Sequence, residues 1–139
     1  DCGYSVKTYY GPVSGADFNS AFSALVEKFN YDKSLIYLFP NMCDTESRER
    51  ILKEELDNKR PVLYSGTGNG ASHAFVCDGY DYKGYFHFNW GWSGANDGYY
   101  LTGEHSFPYD QAIIYGIQPD FSGKGNCLLL INKFDVVDN

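Results

Sequence analysis

The sequence predicts an α+β fold in which two helices precede a sheet of antiparallel strands. The first half of the chain contains two stretches whose apolar residues recur with helical spacing. From Pro61 onwards the chain changes to short apolar runs that are separated by turns rich in Gly, Asn and Asp. Because helices and strands are segregated along the chain and do not alternate, the α+β class is favoured over a parallel α/β fold.

The composition is that of a folded domain. Of the 139 residues, 43% are hydrophobic, 21% are charged and 18% are aromatic. An excess of acidic residues gives a net charge of −7, which argues against nucleic acid or an anionic membrane as a partner. No apolar stretch approaches the roughly 20 residues that a helix needs to cross a membrane.

The first predicted helix follows residues 2–13, a segment rich in Tyr and Gly that is expected to be extended. Ser14 or Asp17 is the candidate N-cap, because either side chain can accept a hydrogen bond from the first helical turn. The apolar residues that define this helix recur on one face. They are Phe18, Phe22, Leu25, Val26 and Phe29.

A short apolar run, Leu35–Phe39, ends at Pro40 and precedes the second predicted helix. Asp44 or Thr45 is the candidate N-cap of this helix, and Glu46 is well placed near the positive end of its dipole. Only a thin edge of the helix is apolar, so we expect it to lie on the surface of the domain.

Six short apolar runs are predicted to be strands. They are Val62–Tyr64, Ala74–Cys77, Tyr85–Phe88, Tyr99–Leu101, Ala112–Tyr115 and Leu128–Ile131. Asp81–Gly84 and Asn96–Gly98 have the composition of turns, and Gly66–Gly70 is predicted to be a flexible loop. We assign residues 1–119 to one compact unit. Residues 120–139 are interpreted as a linker followed by an extra strand or by the start of a further module.

Two polar residues have the arrangement of a thiol-protease site. His73 opens an apolar strand, and Asn89, sixteen residues later, opens an Asn-Trp-Gly-Trp element. In such sites the histidine moves a proton and the asparagine orients the histidine. A lone histidine in a strand is more often structural, but His73 is predicted to lie where a loop meets a strand and side chains reach a cleft. His87 is interpreted as a surface or packing residue, and His105 has no partner visible in the sequence.

None of the four cysteines has the pattern of a nucleophile. Cys2, Cys43, Cys77 and Cys127 form no C-x-x-C pair, so a zinc or redox motif is not expected, and free thiols are the simplest interpretation. Cys77 would lie about 13 Å from His73 along a regular strand, whereas a thiolate–imidazolium pair needs contact near ~3 Å. None of the other cysteines lies in a small-residue segment leading into a helix, where the helix dipole lowers a thiol pKa.

The partner of His73 within the chain is left open by the strand pattern. A simple hairpin between the second and third predicted strands puts Trp92 across from His73, with Asn89 about three positions away. A bulge at Gly91 would turn Asn89 back towards the histidine. Trp90 and Trp92 are therefore candidates for the site, and plain core packing is the alternative.

In these residues the chain resembles the streptopain family of papain-like cysteine peptidases. The matching segments occur in family order and are specific in combination. They are Cys2–Val6, Pro61–Gly66, His73–Tyr80, Phe86–Trp92, Asp97–Tyr100 and Ala112–Pro119. The resemblance implies a papain-like fold, of which residues 1–119 are the C-terminal, histidine-bearing part.

The resemblance also implies the roles of the site residues. His73 is the catalytic histidine, and Asn89 takes the place of the papain-type asparagine with Trp90 and Trp92 around it. Ser65 falls where some family members carry a glutamine. The nucleophilic cysteine belongs to a Gly-Cys-Val-Ala-like stretch at the head of an upstream helix. We therefore expect an N-terminal partner segment that carries this cysteine, and no activity from the present chain alone.

The resemblance further implies a secreted or cell-surface protease, made as a zymogen, that acts on protein or peptide substrates without a cofactor or metal. Two other functions are considered. One is a non-catalytic, peptide-binding or inhibitor-like relative of the same fold. The other is a carbohydrate-binding module built on the abundant aromatic residues. The second is disfavoured because both tryptophans lie beside the histidine, which a sugar-binding platform does not require.

Overall fold

The computed structural model describes residues 1–12 and 14–122, and these form three helices and one antiparallel sheet of six strands. The elements in chain order are α1 (Cys2–Ser5), α2 (Phe18–Glu27), β1 (Ile36–Leu38), α3 (Thr45–Asp57), β2 (Val62–Gly68), β3 (Ala71–Tyr80), β4 (Phe86–Asn89), β5 (Gly98–Tyr100) and β6 (Tyr109–Tyr115). The strand order is β1-β6-β2-β3-β4-β5. The α+β class is confirmed, and the apolar run between the two long helices joins the sheet as an edge strand.

Both long helices begin at one of their predicted caps. The Asp17 carboxylate accepts a hydrogen bond from the Ser20 amide at 3.2 Å, and the Asp44 carboxylate accepts one from the Ser47 amide at 2.7 Å. The expectation that α3 lies on the surface with a thin apolar edge is confirmed, since only Leu52, Glu55 and Leu56 of this helix are buried. Leu52 is fully buried, because the narrow apolar edge of this helix packs on the aromatic face of the sheet.

The expectation that residues 2–13 are extended is wrong at the start of the segment. The Ser5 and Val6 amides donate to the Asp1 and Cys2 carbonyls, which closes one helical turn. Tyr10 lies against Gly3, where a Cβ atom would collide with the tyrosine hydroxyl. Because this contact joins two residues that are seven positions apart, the local helix and strand propensities do not predict it.

The prediction of a flexible loop at Gly66–Gly70 is also wrong. β2 continues to Gly68, and Gly66 pairs directly with His73 of β3. The turn consists of Asn69 and Gly70, whose φ angles are 52° and 75°. Two positive φ angles define the type I′ geometry that fits the twist of a hairpin, and Asn-Gly is the pair that favours it. The segment is therefore a tight hairpin that holds His73 within a strand.

The hydrophobic core lies between α3 and one face of the sheet. It is rich in rings, because β2, β3 and β4 each direct an aromatic residue at alternate positions towards the helix. The buried members are Leu52, Leu56, Val62, Tyr64, Phe75, Cys77, Phe86, Phe88, Trp90, Phe107 and Ile113. This packing fixes the three central strands relative to one another and makes them a rigid base for side chains at their ends.

The opposite side of the central strands borders an open groove of about 580 Å³. Its floor consists of small residues, including Ser65, Ala74 and Ala112, and one wall is formed by α2 and the residues before it. No helix in the described part of the chain has the length and apolar character needed to cross a membrane. The predicted strand Leu128–Ile131 lies outside the described residues, as does all but the first part of residues 120–139.

Candidate active site

His73 lies on β3 at the end of the aromatic core and borders the groove. The Trp92 indole stacks on its imidazole, with ring centres 4.7 Å apart and an angle of 25° between the planes. Phe107 approaches the ring at 5.2 Å, and Phe75 at 6.0 Å. The imidazole is therefore held between aromatic side chains and remains half-exposed at the rim of the groove.

A backbone carbonyl makes the hydrogen bond to this imidazole. Nε2 of His73 lies 2.9 Å from the Trp90 carbonyl oxygen. Because a carbonyl can only accept, Nε2 carries the proton and donates it. In the neutral ring Nδ1 then has a free lone pair, and it makes no hydrogen bond among the described residues. This is the tautomer that a general base needs.

The strand register places Asn89 as the simple hairpin predicts, and Trp92, which follows the end of β4, stacks on His73. Asn89 pairs with Val76, and the register shifts between Cys77 and Gly79. Gly91 lies beyond the end of β4, outside this register, and adopts a left-handed φ of 74°. The irregularity lies further along β3 and leaves the register at the site end of the hairpin unchanged.

Asn89 acts on the backbone and not on the imidazole. Its side-chain oxygen accepts a hydrogen bond from the Gly91 amide at 2.9 Å. An Asx turn of this kind bends the chain immediately after β4. The bend lies at Trp90, whose carbonyl oxygen holds His73. Asn89 therefore shapes the segment that presents the acceptor, and the acceptor itself is the Trp90 backbone.

The two tryptophans have different environments. Trp90 is 3% exposed, and its indole N–H donates to the Asn96 carbonyl at 2.9 Å. Its amide donates to the Asp97 carboxylate, also at 2.9 Å, so both its backbone and its ring are fixed. Trp92 is 42% exposed and forms the outer cover of His73. Trp90 is thus a core residue that positions a carbonyl, and Trp92 is a surface residue that shields the imidazole.

Phe107 is a site residue that the sequence analysis missed. It belongs to the segment between β5 and β6 and is 8% exposed. A Cβ atom on Gly66 would collide with the Phe107 carbonyl oxygen, and one on Gly68 with the Ser106 carbonyl oxygen. The glycines at these two positions were the available signal, since glycine in a strand often marks the close approach of another backbone. They permit Phe107 to reach His73.

None of the described cysteines lines the groove beside His73. Cys77 is fully buried in β3, and burial, with a smaller contribution from Asp78, raises the pKa of its thiol to about 12. Cys2 is exposed in α1 and Cys43 is half-buried, and neither lines the groove. Cys127 lies outside the described residues.

The other two histidines are set apart from His73 by their partners. Nδ1 of His87 lies 2.5 Å from the Asp78 carboxylate, and the His87 ring meets Tyr99 edge-on at 5.0 Å. His105 is 8% exposed within the aromatic core. Among the described residues, no group of three or more histidine, cysteine or carboxylate side chains has the arrangement of a metal site.

Two curated proteins are similar to most of this chain. The thiol protease/hemagglutinin PrtT of Porphyromonas gingivalis is 36% identical over a region covering 86% of this chain and 15% of that protein. Streptopain of Streptococcus pyogenes is 39% identical over a region covering 86% of this chain and 33% of that protein. The chain thus spans a third or less of the length of these relatives.

Solved structures of Prevotella intermedia proteins have the same fold. The active wild-type interpain A cysteine protease superposes with a TM-score of 0.71 at 32% identity, covering 84% of this chain and 52% of that one. A prointerpain A fragment superposes with a TM-score of 0.68 at 32% identity, covering 88% and 40%. The papain-like α+β expectation is confirmed by these similarities.

The streptopain resemblance is tested most directly at the level of the family. A sequence model of the Peptidase C10 family matches residues 1–100, which include His73, Asn89, Trp90 and Trp92. This match extends over more than two thirds of the 139 residues. The chain belongs to the Peptidase C10 family.

Proposed function

We propose that this chain forms the histidine-bearing part of a cysteine endopeptidase, and that an upstream segment of the same protein supplies the nucleophilic thiol. The observation that carries the proposal is the hydrogen bond from His73 Nε2 to the Trp90 carbonyl. It fixes the ring orientation and leaves Nδ1 as the free base at the rim of a groove. A histidine presented in this way is arranged for proton transfer.

In the proposed reaction, Nδ1 of His73 takes the proton from the upstream cysteine. The resulting thiolate attacks the carbonyl carbon of a peptide bond, and an acyl-enzyme forms when the C–N bond breaks. The imidazolium gives its proton to the leaving amine and is neutral again for the water that hydrolyses the thioester. The Trp90 carbonyl keeps the ring in one orientation throughout, and it stabilises the charged form because it accepts the Nε2–H, which becomes a stronger donor when Nδ1 is protonated.

Trp92 is assigned a shielding role in this site. Its indole covers one face of the imidazole at 4.7 Å. By excluding water from that face it strengthens the hydrogen bond between Nε2 and the Trp90 carbonyl, because such bonds are stronger where the local dielectric constant is low.

The groove supports the proposal of a partner segment and of a peptide substrate. It holds no described cysteine, although His73 lies on its rim. Its small floor residues, Ser65 and Ala74 among them, leave room for a helix carrying a thiol and for an extended peptide. Protein or peptide substrates, secretion or a cell-surface location, and synthesis as a zymogen belong to this proposal. The names of the relatives, a thiol protease and a cysteine protease, support its chemistry.

The proposal is tested by comparing the isolated chain with the complete protein in hydrolysis of a casein-type substrate. We expect thiol-reagent-sensitive turnover from the complete protein and none from the isolated chain. Robust turnover by the isolated chain would place the nucleophile among its own cysteines and overturn the two-part arrangement.

Intact masses and N-terminal sequences of all chains in the native preparation complete this test. A co-purifying upstream segment with a Gly-Cys-Val-Ala-like stretch would supply the proposed nucleophile. A complete protein that contains no such cysteine and hydrolyses nothing would instead be the non-catalytic, peptide-binding relative.

A further inference from the structure

His105 is a buried imidazole next to the candidate active site for which the proposed mechanism gives no role. It lies in the segment between β5 and β6, two residues before Phe107. Its Nδ1 accepts a hydrogen bond from the Phe107 amide at 3.1 Å. Because an accepting nitrogen carries no proton, the neutral ring is protonated at Nε2.

Four aromatic rings in or next to the sheet surround this imidazole. Phe88 lies at 5.1 Å, Phe75 and Trp90 each at 5.6 Å, and Tyr64 at 6.4 Å, measured between ring centres. The planes of Tyr64 and Phe75 are within 15° of perpendicular to the imidazole, at 84° and 76°. This edge-on packing is the geometry in which an N–H group meets an aromatic ring.

The surroundings of His105 favour its neutral form. Nε2 is buried, and no described residue offers it a hydrogen bond of acceptable geometry. Burial lowers the pKa of His105 to about 4, although the nearby Thr102 backbone acts in the opposite direction. Protonation would also place a hydrogen on Nδ1, where it would face the Phe107 N–H.

His105 contacts both walls of the His73 site. The Phe107 amide is bonded to His105, and the Phe107 ring lies 5.2 Å from the His73 ring. The Trp90 indole packs against His105, and the Trp90 carbonyl holds Nε2 of His73. The two connections also touch each other, because the Phe107 and Trp90 rings lie 5.8 Å apart.

We propose that His105 is a positioning residue for His73, which as a neutral imidazole fixes Phe107 and Trp90 and which on protonation releases both. The catalytic consequence rests on the proposed function, whereas the structural consequence does not. When His105 gains a proton, the Phe107 amide loses its acceptor and a charge is created among four rings. The walls of the His73 site then separate, and the imidazole loses its fixed orientation.

The ionisable groups around this cluster do not supply a counter-ion for a charged His105. From β2, the Tyr64 hydroxyl donates to Gln111 at 2.5 Å. From α3, Glu49 accepts a hydrogen bond from the Thr102 hydroxyl at 2.6 Å, and Arg48 brings a positive charge to the Tyr64 side of the cluster. Cys77 of β3 is also near Tyr64 and has a raised pKa.

Glu104, the neighbour of His105 in the chain, is exposed and makes no ion pair among the described residues. The lowered pKa of His105 comes from burial, opposed by the Thr102 backbone, and no charged side chain contributes to it.

The structural part is tested by near-UV circular dichroism of the complete protein between pH 7 and pH 3.5. His105→Asn retains an acceptor in the position of Nδ1 and cannot titrate, and His87→Asn is the matched control at a partly exposed position. We expect a reversible change of the tryptophan signal in the wild type and in His87→Asn, and no such step in His105→Asn. The same step in all three proteins would overturn the proposal.

The catalytic part is tested at pH 7 with His105→Leu and His105→Asn in the complete protein. Leucine fills the volume but cannot accept from Phe107, so we expect kcat to fall about 10- to 100-fold with KM nearly unchanged, as small misplacements of a catalytic group do. Asparagine should recover most of this loss. Equal kcat values for wild type and His105→Leu would overturn the positioning role.

The two measurements distinguish a failure of the proposed function from a failure of the inference about His105. If the wild-type protein hydrolyses nothing at any pH, the proposed function fails while the circular dichroism titration still decides whether His105 controls the cluster. If His105→Leu does not fold, the His105→Asn variant carries both the titration and the kinetic comparison. An acid step that is retained in active His105→Asn rejects the inference about His105 alone.

Discussion

The two ends of the sheet hold a histidine in opposite ways. At the end that carries the candidate site, His73 is stacked between rings and donates to a neutral backbone carbonyl. At the other end, His87 is paired with the Asp78 carboxylate at 2.5 Å. The same side chain on adjacent strands is thus given an uncharged partner in one place and a charged partner in the other.

Two further carboxylates accept hydrogen bonds at the end of the sheet away from the site. Glu55 binds Arg60 at 2.7 and 2.8 Å and accepts from the Gly116 amide at 2.8 Å. Asp57 accepts from the Tyr80 hydroxyl at 2.7 Å. These hydrogen bonds of carboxylates connect α3 to the sheet. A carboxylate placed next to an imidazole, however, favours the charged form of the imidazole. A carbonyl orients an imidazole without favouring its charged form as strongly, which suits the proton-transfer role proposed for His73.

The largest expected effect in this comparison is the loss of activity when His73 is replaced. In the complete protein, His73→Ala should reduce kcat/KM by about 10²- to 10⁴-fold or more, because general acid–base catalysis contributes that much. Activation of the thiol is lost in addition. Steady-state hydrolysis of a peptide substrate measures the rate, and circular dichroism checks that the fold is retained.

His87→Ala is the control for that experiment. It removes a histidine from the adjacent strand without touching the groove, so its rate should stay within about twofold of the wild type. Its pair with Asp78 is partly exposed, and the loss of stability should be about 1 kcal/mol or less. A rate for His73→Ala within a few-fold of wild type would make His73 a structural residue and remove the difference between the two ends.

Replacement of the two tryptophans should affect stability and activity to different extents. Trp90→Ala is expected to lower the free energy of unfolding by about 3–5 kcal/mol, because truncation of a buried aromatic leaves a cavity. Trp92→Ala should cost much less stability, since 42% of its surface is exposed, yet it uncovers the imidazole and should lower kcat. Urea unfolding and kinetics on both variants measure the two effects. Equal losses of stability would contradict the different environments seen for the two rings.

The contribution of the Glu55–Arg60 pair to the free energy of unfolding should depend on pH within a defined range. The Arg60 side chain lowers the pKa of Glu55 below its ordinary value of 4.5, against the opposing effect of burial, and the Gly116 amide adds to the lowering. This stabilisation is therefore present above about pH 4.5 and is lost as the pH falls through the lower, folded-state pKa.

Glu55→Gln should lower the free energy of unfolding at pH 7 by about 2 kcal/mol, less than a fully buried pair because Arg60 is partly exposed. The difference from the wild type should shrink as the pH is lowered. Glu54→Gln, the same change at the exposed neighbouring position, is the control and should be nearly silent in urea unfolding at every pH. A loss for Glu55→Gln that does not vary with pH would show that the ion pair is not its cause.

The smallest expected effect belongs to Asn89. Its side chain bonds the Gly91 amide and is exposed, so Asn89→Ala should reduce kcat only a few-fold and stability by about 1 kcal/mol. Asn89→Asp keeps the acceptor and should restore the rate. A loss as large as that of His73→Ala would give Asn89 a direct role at the imidazole, which its hydrogen bond to the backbone does not indicate.

The sequence by itself determined the local elements and the identity of the central histidine. Asp17 and Asp44 begin the long helices because carboxylates accept from free amides, which is a local property. The alternation within β2, β3 and β4 fixed their inward faces, and extending the simple hairpin pattern predicted Trp92 beside His73, where its ring stacks. The proton-transfer role proposed for His73 was reached from its position and its motif.

Only the tertiary structure decided which atoms surround that histidine. The acceptor is the backbone of Trp90, and a backbone carbonyl has no signature in a sequence. Phe107 and His105 reach the site from a segment more than thirty positions further along the chain than His73, through an approach that Gly66 and Gly68 permit. Contacts of this kind depend on how separate segments pack in space, whereas periodicity and capping report only on neighbours along the chain.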